Sequence, residues 1–240
     1  KRPCTCRASW FSSGKPVREL NLGLWSQVLT GDLEYNDPNL KLCGFVRPPW
    51  PTGEPPIPDE LEEFLSAGSP PVVFAFGSHV QTMGGRDRLI ALACDLATIA
   101  GLRVVIAGIL GPKKEELRSE AVIVAPFVDL DELILRSYAV VCHAGIGTLA
   151  SALRCAVPAI MFPKVFDQPY NAGLAEKCGA GLTLDTSTEF NAPSIQKALQ
   201  RIEYDAFPKI LSRLSGKIQA ENGVRSAVEH IEGVLEDTVD

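Results

Sequence analysis

Apolar residues fall along this chain in two regimes. From residue 69 onward they come in short unbroken runs: Pro71 to Phe76, Leu102 to Ala107, Ala121 to Ala125, Ala139 to Cys142, Ala159 to Phe162 and Gly181 to Leu184. Runs without polar alternation mark strands buried on both faces. Between them lie segments with helical spacing: Ile90 to Ala100, Leu130 to Ser137, Thr148 to Cys155 and Tyr170 to Cys178. Residues 192–236 read as helix throughout, with breaks at Asp205 to Pro208 and near Asn222-Gly223. Strands alternating with helices predict an α/β fold, a Rossmann-like doubly wound parallel sheet followed by C-terminal helices.

The first 60 residues are different. Their periodicity is weak, and Gly14-Lys15-Pro16, Asp37-Pro38 and Arg47-Pro48-Pro49-Trp50-Pro51 punctuate them. One short strand is expected within Leu40 to Val46. The proline cluster over 48–58 reads as an extended linker. Pro58 then opens a charged helix over Asp59 to Ser66. This divides the chain into 1–58, linker and tail of an upstream unit, and 59–240, a doubly wound domain.

Composition adds little until charge and cysteine are considered. The 240 residues are 46% hydrophobic and 22% charged, ordinary for a chain with a full core. A formal net charge of −6 argues against a nucleic-acid scaffold, which clusters Lys and Arg. Seven cysteines, an odd number without a repeated spacing, point to a reduced, cytoplasmic setting. Cys4-Thr5-Cys6 is too close for a standard bridge or zinc knuckle. No apolar run is long enough to span a membrane, while peripheral membrane contact stays open. A start at Lys1 without Met suggests a fragment or processed chain.

The chemistry concentrates in His143 to Tyr170, HAGIGTLASALRCAVPAIMFPKVFDQPY. His143 leaves a buried strand at its carboxyl end, where open α/β sheets bind ligands. Gly145 and Gly147 let backbone approach a ligand closely, and Thr148 is placed to cap the helix and offer a hydroxyl. Free N–H groups there favour a phosphate. Gly77-Ser78 makes a second strand-end turn with a hydroxyl. Asp167-Gln168 offers acceptors and donors for vicinal hydroxyls. Taken singly, each is open to a plainer reading as a turn or polar loop. Together they describe a nucleotide-sugar site. No Walker A lysine occurs, and the pattern is not a dinucleotide fingerprint.

Over residues 60–235 the sequence resembles the donor-binding half of UDP-dependent glycosyltransferases of the GT-B fold. The resemblance rests on HAGIGTLASALRCAVPAIMFPKVFDQPYNAGLAEKCGAGLTL and on Phe76-Gly77-Ser78 at the right distance upstream. It is similar above all to sterol glucosyltransferases and to bacterial antibiotic and macrolide glycosyltransferases. The resemblance implies that His143 hydrogen-bonds the diphosphate, with Gly145, Gly147 and Thr148 around it and Ser78 nearby. It implies that Asp167 and Gln168 hold the sugar hydroxyls, and that uracil lies along Val124 to Phe127. Ser151 stands where some members carry a ribose-binding glutamate. His79 stands where an apolar residue is usual, open to reading as a surface histidine or as a phosphate or sugar contact. Gln81 to Arg88 is expected to form a flexible loop, with Arg86 and Arg88 solvated.

The implied reaction transfers a hexose, glucose first, from a UDP-sugar to a hydroxyl of a sterol, lipid or other small molecule, with inversion. No cofactor and no metal is implied. The catalytic base is expected in an N-terminal acceptor domain, in the same chain or a separate one. Two alternatives are a non-catalytic UDP-sugar-binding or lipid-recognition module, and a donor subunit that needs a separate acceptor-binding chain.

Overall fold

A computed structural model describes residues 20–31, 37–47, 51, 56–110, 117, 119–185, 187, 190–204 and 207–236. Cys4-Thr5-Cys6, Gly14-Lys15-Pro16, most of the proline run and the Asp205 start of the first C-terminal break lie outside the described residues.

The chain enters through a parallel pair, β1 (Asn21–Gly23) and β2 (Leu40–Leu42), with the short helix α1 (Gln27–Thr30) between them. Neither β1 nor α1 was expected, since three or four residues carry no readable period. The strand expected to reach Val46 stops at Leu42. Leu29, Phe45 and Ile57 nevertheless join the main core. Ser26 caps α1 and donates from Oγ to Glu221 Oε1 at 2.6 Å, which ties this segment to the C-terminal helices. Helix α2 (Asp59–Ser66) follows Pro58 as expected, and its three first-turn acids suit the positive end of the helix dipole.

Six strands form the main sheet: β3 (Val72–Ala75), β4 (Val104–Ala107), β5 (Val122–Ala125), β6 (Ala139–Cys142), β7 (Ala159–Met161) and β8 (Gly181–Thr183). Their order is β5-β4-β3-β6-β7-β8 and every pairing is parallel. Nearly every strand residue is buried, as the unbroken apolar runs require. The covering helices are α3 (Arg86–Ala100), α4 (Leu130–Leu135), α5 (Ile146–Arg154), α6 (Gln168–Cys178), α7 (Ala192–Tyr204), α8 (Phe207–Gln219) and α9 (Gly223–Glu236). Helix α3 packs on α7, and α5 packs on α4, α6 and α8.

The order places β3 beside β6, and the chain winds outward from them in opposite directions. Ala75 and Cys142, the last residues of these strands, are register partners. The turns that follow them therefore open side by side at the carboxyl edge, the switch point of a doubly wound sheet.

Two expectations need correction. Helix α5 begins at Ile146, not Thr148, so Gly145 occupies the N-cap and Thr148 sits at the third helical position. Thr148 therefore does not cap the helix. The Gln81 to Arg88 stretch is not one loose loop. It is a 3-10 turn over Gln81–Met83, a glycine pair, and the first residues of α3, where Arg86 pairs with Asp87 at 2.9 Å.

Candidate functional site

Three loops meet at the carboxyl edge of β3, β6 and β7. The first is a 3-10 turn over Gly77–His79, entered at buried Phe76, with Gly77 at a positive φ of 49°. It leaves Ser78 exposed and His79 half-buried. An aromatic base holds this turn: Phe76 packs edge-on against Phe74 and Phe190, and Phe190 stacks on Phe162 at 4.7 Å.

The second loop carries His143, only 8% exposed. Its ring stacks on His79 with centroids 4.4 Å apart and lies 6.3 Å from Phe76. The next residue, Ala144, takes a left-handed φ of 66°, uncommon for a residue with a Cβ. Asn171 Nδ2 donates to the Ala144 carbonyl at 3.2 Å, and complete burial holds the alanine there. A Cβ at Gly145 would meet His143 Nε2 at 2.5 Å. The glycine is thus the space into which the imidazole is laid, and Nε2 faces the start of α5. With glycine at the N-cap, no side chain satisfies the first N–H groups of α5. Those groups and Nε2 converge on one place, a ready anion site.

His143 Nδ1 is buried without a hydrogen-bond partner. The Ala75 carbonyl lies beside the ring and, with Asp167, favours the cation. Burial first, and then His79, oppose it more strongly, and the pKa falls to about 4. Near neutral pH His143 is uncharged and donates through one N–H only.

The third loop runs from Phe162 into α6. Gln168 is 1% exposed, and its Oε1 accepts from the backbone N–H groups of Lys164 and Val165 at 2.9 and 3.1 Å. Its amide oxygen therefore shapes the loop. Asp167 is exposed, and its Oδ2 accepts from Asn171 Nδ2 at 2.7 Å. Asn171 thus links this loop to the turn at Ala144. Phe166 precedes Asp167, 89% exposed and held at φ 57°.

Beside these loops, on the α4 flank of α5, is a cavity of about 370 Å³ lined among others by Phe127, Gly147, Ser151, Arg47 and Asp131. The expected nucleoside contact Phe127 and the expected phosphate contact Gly147 share this wall. Val124 is half-buried within β5, packs against the core, and is not among the lining residues. Asp131 accepts from Arg154 Nε at 2.7 Å and lies 3.2 Å from Arg47 Nε. Burial opposes ionisation of this carboxyl, but hydrogen bonds from Arg154 and Ser151 outweigh it and hold the pKa below the usual range. Asp129 caps α4 through Oδ1 and accepts from Arg47 Nη2 at 2.7 Å through Oδ2.

Ser78, His143, Gly145, Gly147, Thr148, Asp167 and Gln168 are brought to one edge. Sequence reasoning missed Asn171, Phe190 and the His79–His143 stack. Asn171 was signalled only by its position one helical turn after Asp167, and the stack joins residues far apart in the chain.

Residues 104–231, more than half of the chain, match the family described as erythromycin biosynthesis protein CIII-like, C-terminal domain. Among curated relatives, the O-mycaminosyltylonolide 6-deoxyallosyltransferase of Streptomyces fradiae is 31% identical over 72% of this chain and 40% of its own length. The sterol 3-beta-glucosyltransferase UGT80A2 of Arabidopsis thaliana is 28% identical over 95% of this chain and 35% of its own. The chain thus spans well under half the length of these relatives. Among solved structures, the glycotransferase of kitacinnamycin superposes with a TM-score of 0.70 at 20% identity, over 89% of this chain and 54% of that one. The spinosyn rhamnosyltransferase SpnG, complexed with thymidine diphosphate, superposes with a TM-score of 0.66 at 21% identity, over 90% of this chain and 57% of that one. The fold is that of one half of a GT-B glycosyltransferase.

Proposed function

The chain belongs to the erythromycin biosynthesis protein CIII-like C-terminal domain family, and we propose that it is the donor-binding half of a glycosyltransferase that uses a UDP-hexose, glucose first. The observation that carries this reading is the convergence of His143 Nε2 with the uncapped start of α5 at the switch point. The diphosphate binds there, beside Ser78. The nucleoside extends toward Phe127 and the cavity at Ser151. The hexose lies toward Asp167, whose carboxylate accepts from its hydroxyls.

As the glycosidic bond to the donor breaks, negative charge gathers on the departing diphosphate. Fixed N–H donors stabilise that charge more in the transition state than in the ground state. Neutral His143, in the tautomer that carries its proton on Nε2, serves as one such donor. The acceptor hydroxyl, on a sterol, lipid or other small molecule, loses its proton to a base that we assign to an acceptor-binding half. Attack from the face opposite the leaving group inverts the anomeric centre.

Calorimetric titration with UDP, UDP-glucose and UDP-GlcNAc tests this reading. His143→Ala should weaken all three by roughly ten- to a hundredfold, the loss of one hydrogen bond to a charged group. Asp167→Ala should weaken the two sugar nucleotides and spare UDP. A folded protein that binds none of them contradicts the reading.

A further inference from the structure

His79 has no part in the reading above, yet its ring lies face to face with His143, centroids 4.4 Å apart and planes 25° apart. The two come from different strands, His79 from the turn after β3 and His143 from the turn after β6. Their stack therefore spans the switch point itself. His143 is almost fully buried, whereas His79 is half-buried and lies on the solvent side of the pair. Thr82 Oγ1 donates to the His79 carbonyl at 2.7 Å and His79 N–H donates to the Phe76 carbonyl at 2.9 Å, so the turn that carries the ring is fixed at both ends.

We propose that His79 is a second ligand for the donor diphosphate, taking up one proton as the sugar nucleotide binds while its ring stays stacked on His143. This rests on the donor-site reading above. Two imidazoles this close do not both carry charge readily, because like charges repel. One cation over one neutral ring is favourable, since the ring face attracts positive charge. Burial keeps His143 the neutral member. The half-exposed ring is then the place for a single proton.

The groups that face the pair leave this role open. Ser78 Oγ lies 3.4 Å from His79 Nδ1 and is neutral, so Nε2 is the nitrogen left for an anion. The carboxylate that faces His143 is Asp167, and it already accepts from Asn171. The start of α5 adds N–H groups without a titrating proton. No bond is made or broken in this step. One proton passes from solvent to the His79 ring, and the bound diphosphate keeps both of its charges.

UDP-glucose is the suitable probe, because its diphosphate, esterified at both ends, has no proton to exchange near neutrality. Calorimetry in two buffers of different ionisation heat counts the protons taken up on binding. The wild type should take up roughly half to two-thirds of a proton near about pH 7, and its affinity should rise roughly tenfold from about pH 8 to about pH 6. His79→Phe keeps a stacking ring and removes the proton. It should abolish the uptake, flatten the pH profile and weaken binding at low pH. His79→Gln, which restores a polar side chain, should show the same flat profile. Uptake that persists in His79→Phe, or a wild type that binds with no uptake, overturns the role of His79 and leaves the donor site standing. Failure of the folded wild type to bind UDP-glucose at all overturns both.

Discussion

Helix α5 divides two polar clusters of opposite character. On the α4 side, Asp131, Arg154, Arg47 and Asp129 satisfy one another. Asp131 faces two guanidinium groups and Asp129 caps a helix. The Arg154 carbonyl also accepts from Ser215 and Gln219 of α8. On the β6 side, His143 is buried with Nδ1 unpartnered, next to a helix start without a capping side chain and a left-handed alanine. Folding closes the first cluster on itself. The second keeps the first N–H groups of α5 without a side-chain partner, beside His143 Nε2, where an anion can accept from them. The first is the architecture of a domain and the second that of a site.

If this division is right, damage to the two clusters should separate stability from binding. Asp131→Ala strands Arg154 beside a vacated carboxylate position. Breaking a buried pair from one side should cost about 3–5 kcal/mol of stability, read by chemical denaturation. Because Asp131 also lines the cavity toward which the nucleoside extends, the folded fraction should still bind UDP-glucose, with a smaller loss of affinity than Gly145→Ala gives. Gly145→Ala works the other way. Its backbone, at φ −65°, accepts alanine, but the added methyl displaces the His143 ring. Sugar-nucleotide affinity should fall by roughly ten- to a hundredfold, while the stability loss, about 1–3 kcal/mol from crowding a buried ring, stays below that of Asp131→Ala.

The pH dependence should differ as well. His143 has a depressed pKa, so the unfolded chain takes up the proton first as acid is added. Its contribution to stability is full above about pH 6.5 and is lost as pH falls toward about 4. Asp131 is also depressed, but as a carboxylate. Its contribution is present above about pH 4 and is lost as pH falls through the folded value. Tm measured against pH for the wild type, His143→Phe and Asp131→Asn should separate these two windows. Phe166→Gly should act most gently. It relieves a left-handed backbone at a fully exposed ring and should raise stability by about 1 kcal/mol. A denaturation midpoint that drops instead would show that the ring holds the loop.

The sheet was legible because unbroken apolar runs have few other outcomes. All six strands appear within a residue or two of the expected positions, as do the breaks around α7, α8 and α9 that fall within the described residues. The β1–α1–β2 segment was not legible, since elements of three or four residues are fixed by the burial of Leu29 and Phe45 in the core and by the bond from Ser26 to Glu221 rather than by their own period. At the site, glycines and polar residues after strands marked the right edge. Their division of labour was not readable. Thr148 as a cap gave way to Gly145, because the imidazole needs the space of a missing side chain. Gln168 turned inward, because its amide oxygen is needed by two backbone N–H groups. The His79–His143 stack and the hydrogen bond from Asn171 to the Ala144 carbonyl depend on which strands become neighbours, which sequence spacing does not carry.

An amide chemical-shift map of the protein titrated with UDP-glucose would decide whether the open cluster is the donor site. The account predicts that the shifted amides gather at Gly77 to His79, His143 to Thr148 and Phe166 to Gln168, and that His143→Ala removes the pattern. Shifts gathered instead in the groove between α3 and α7, around Asp95 and Pro193, or a map that His143→Ala leaves unchanged, would contradict it.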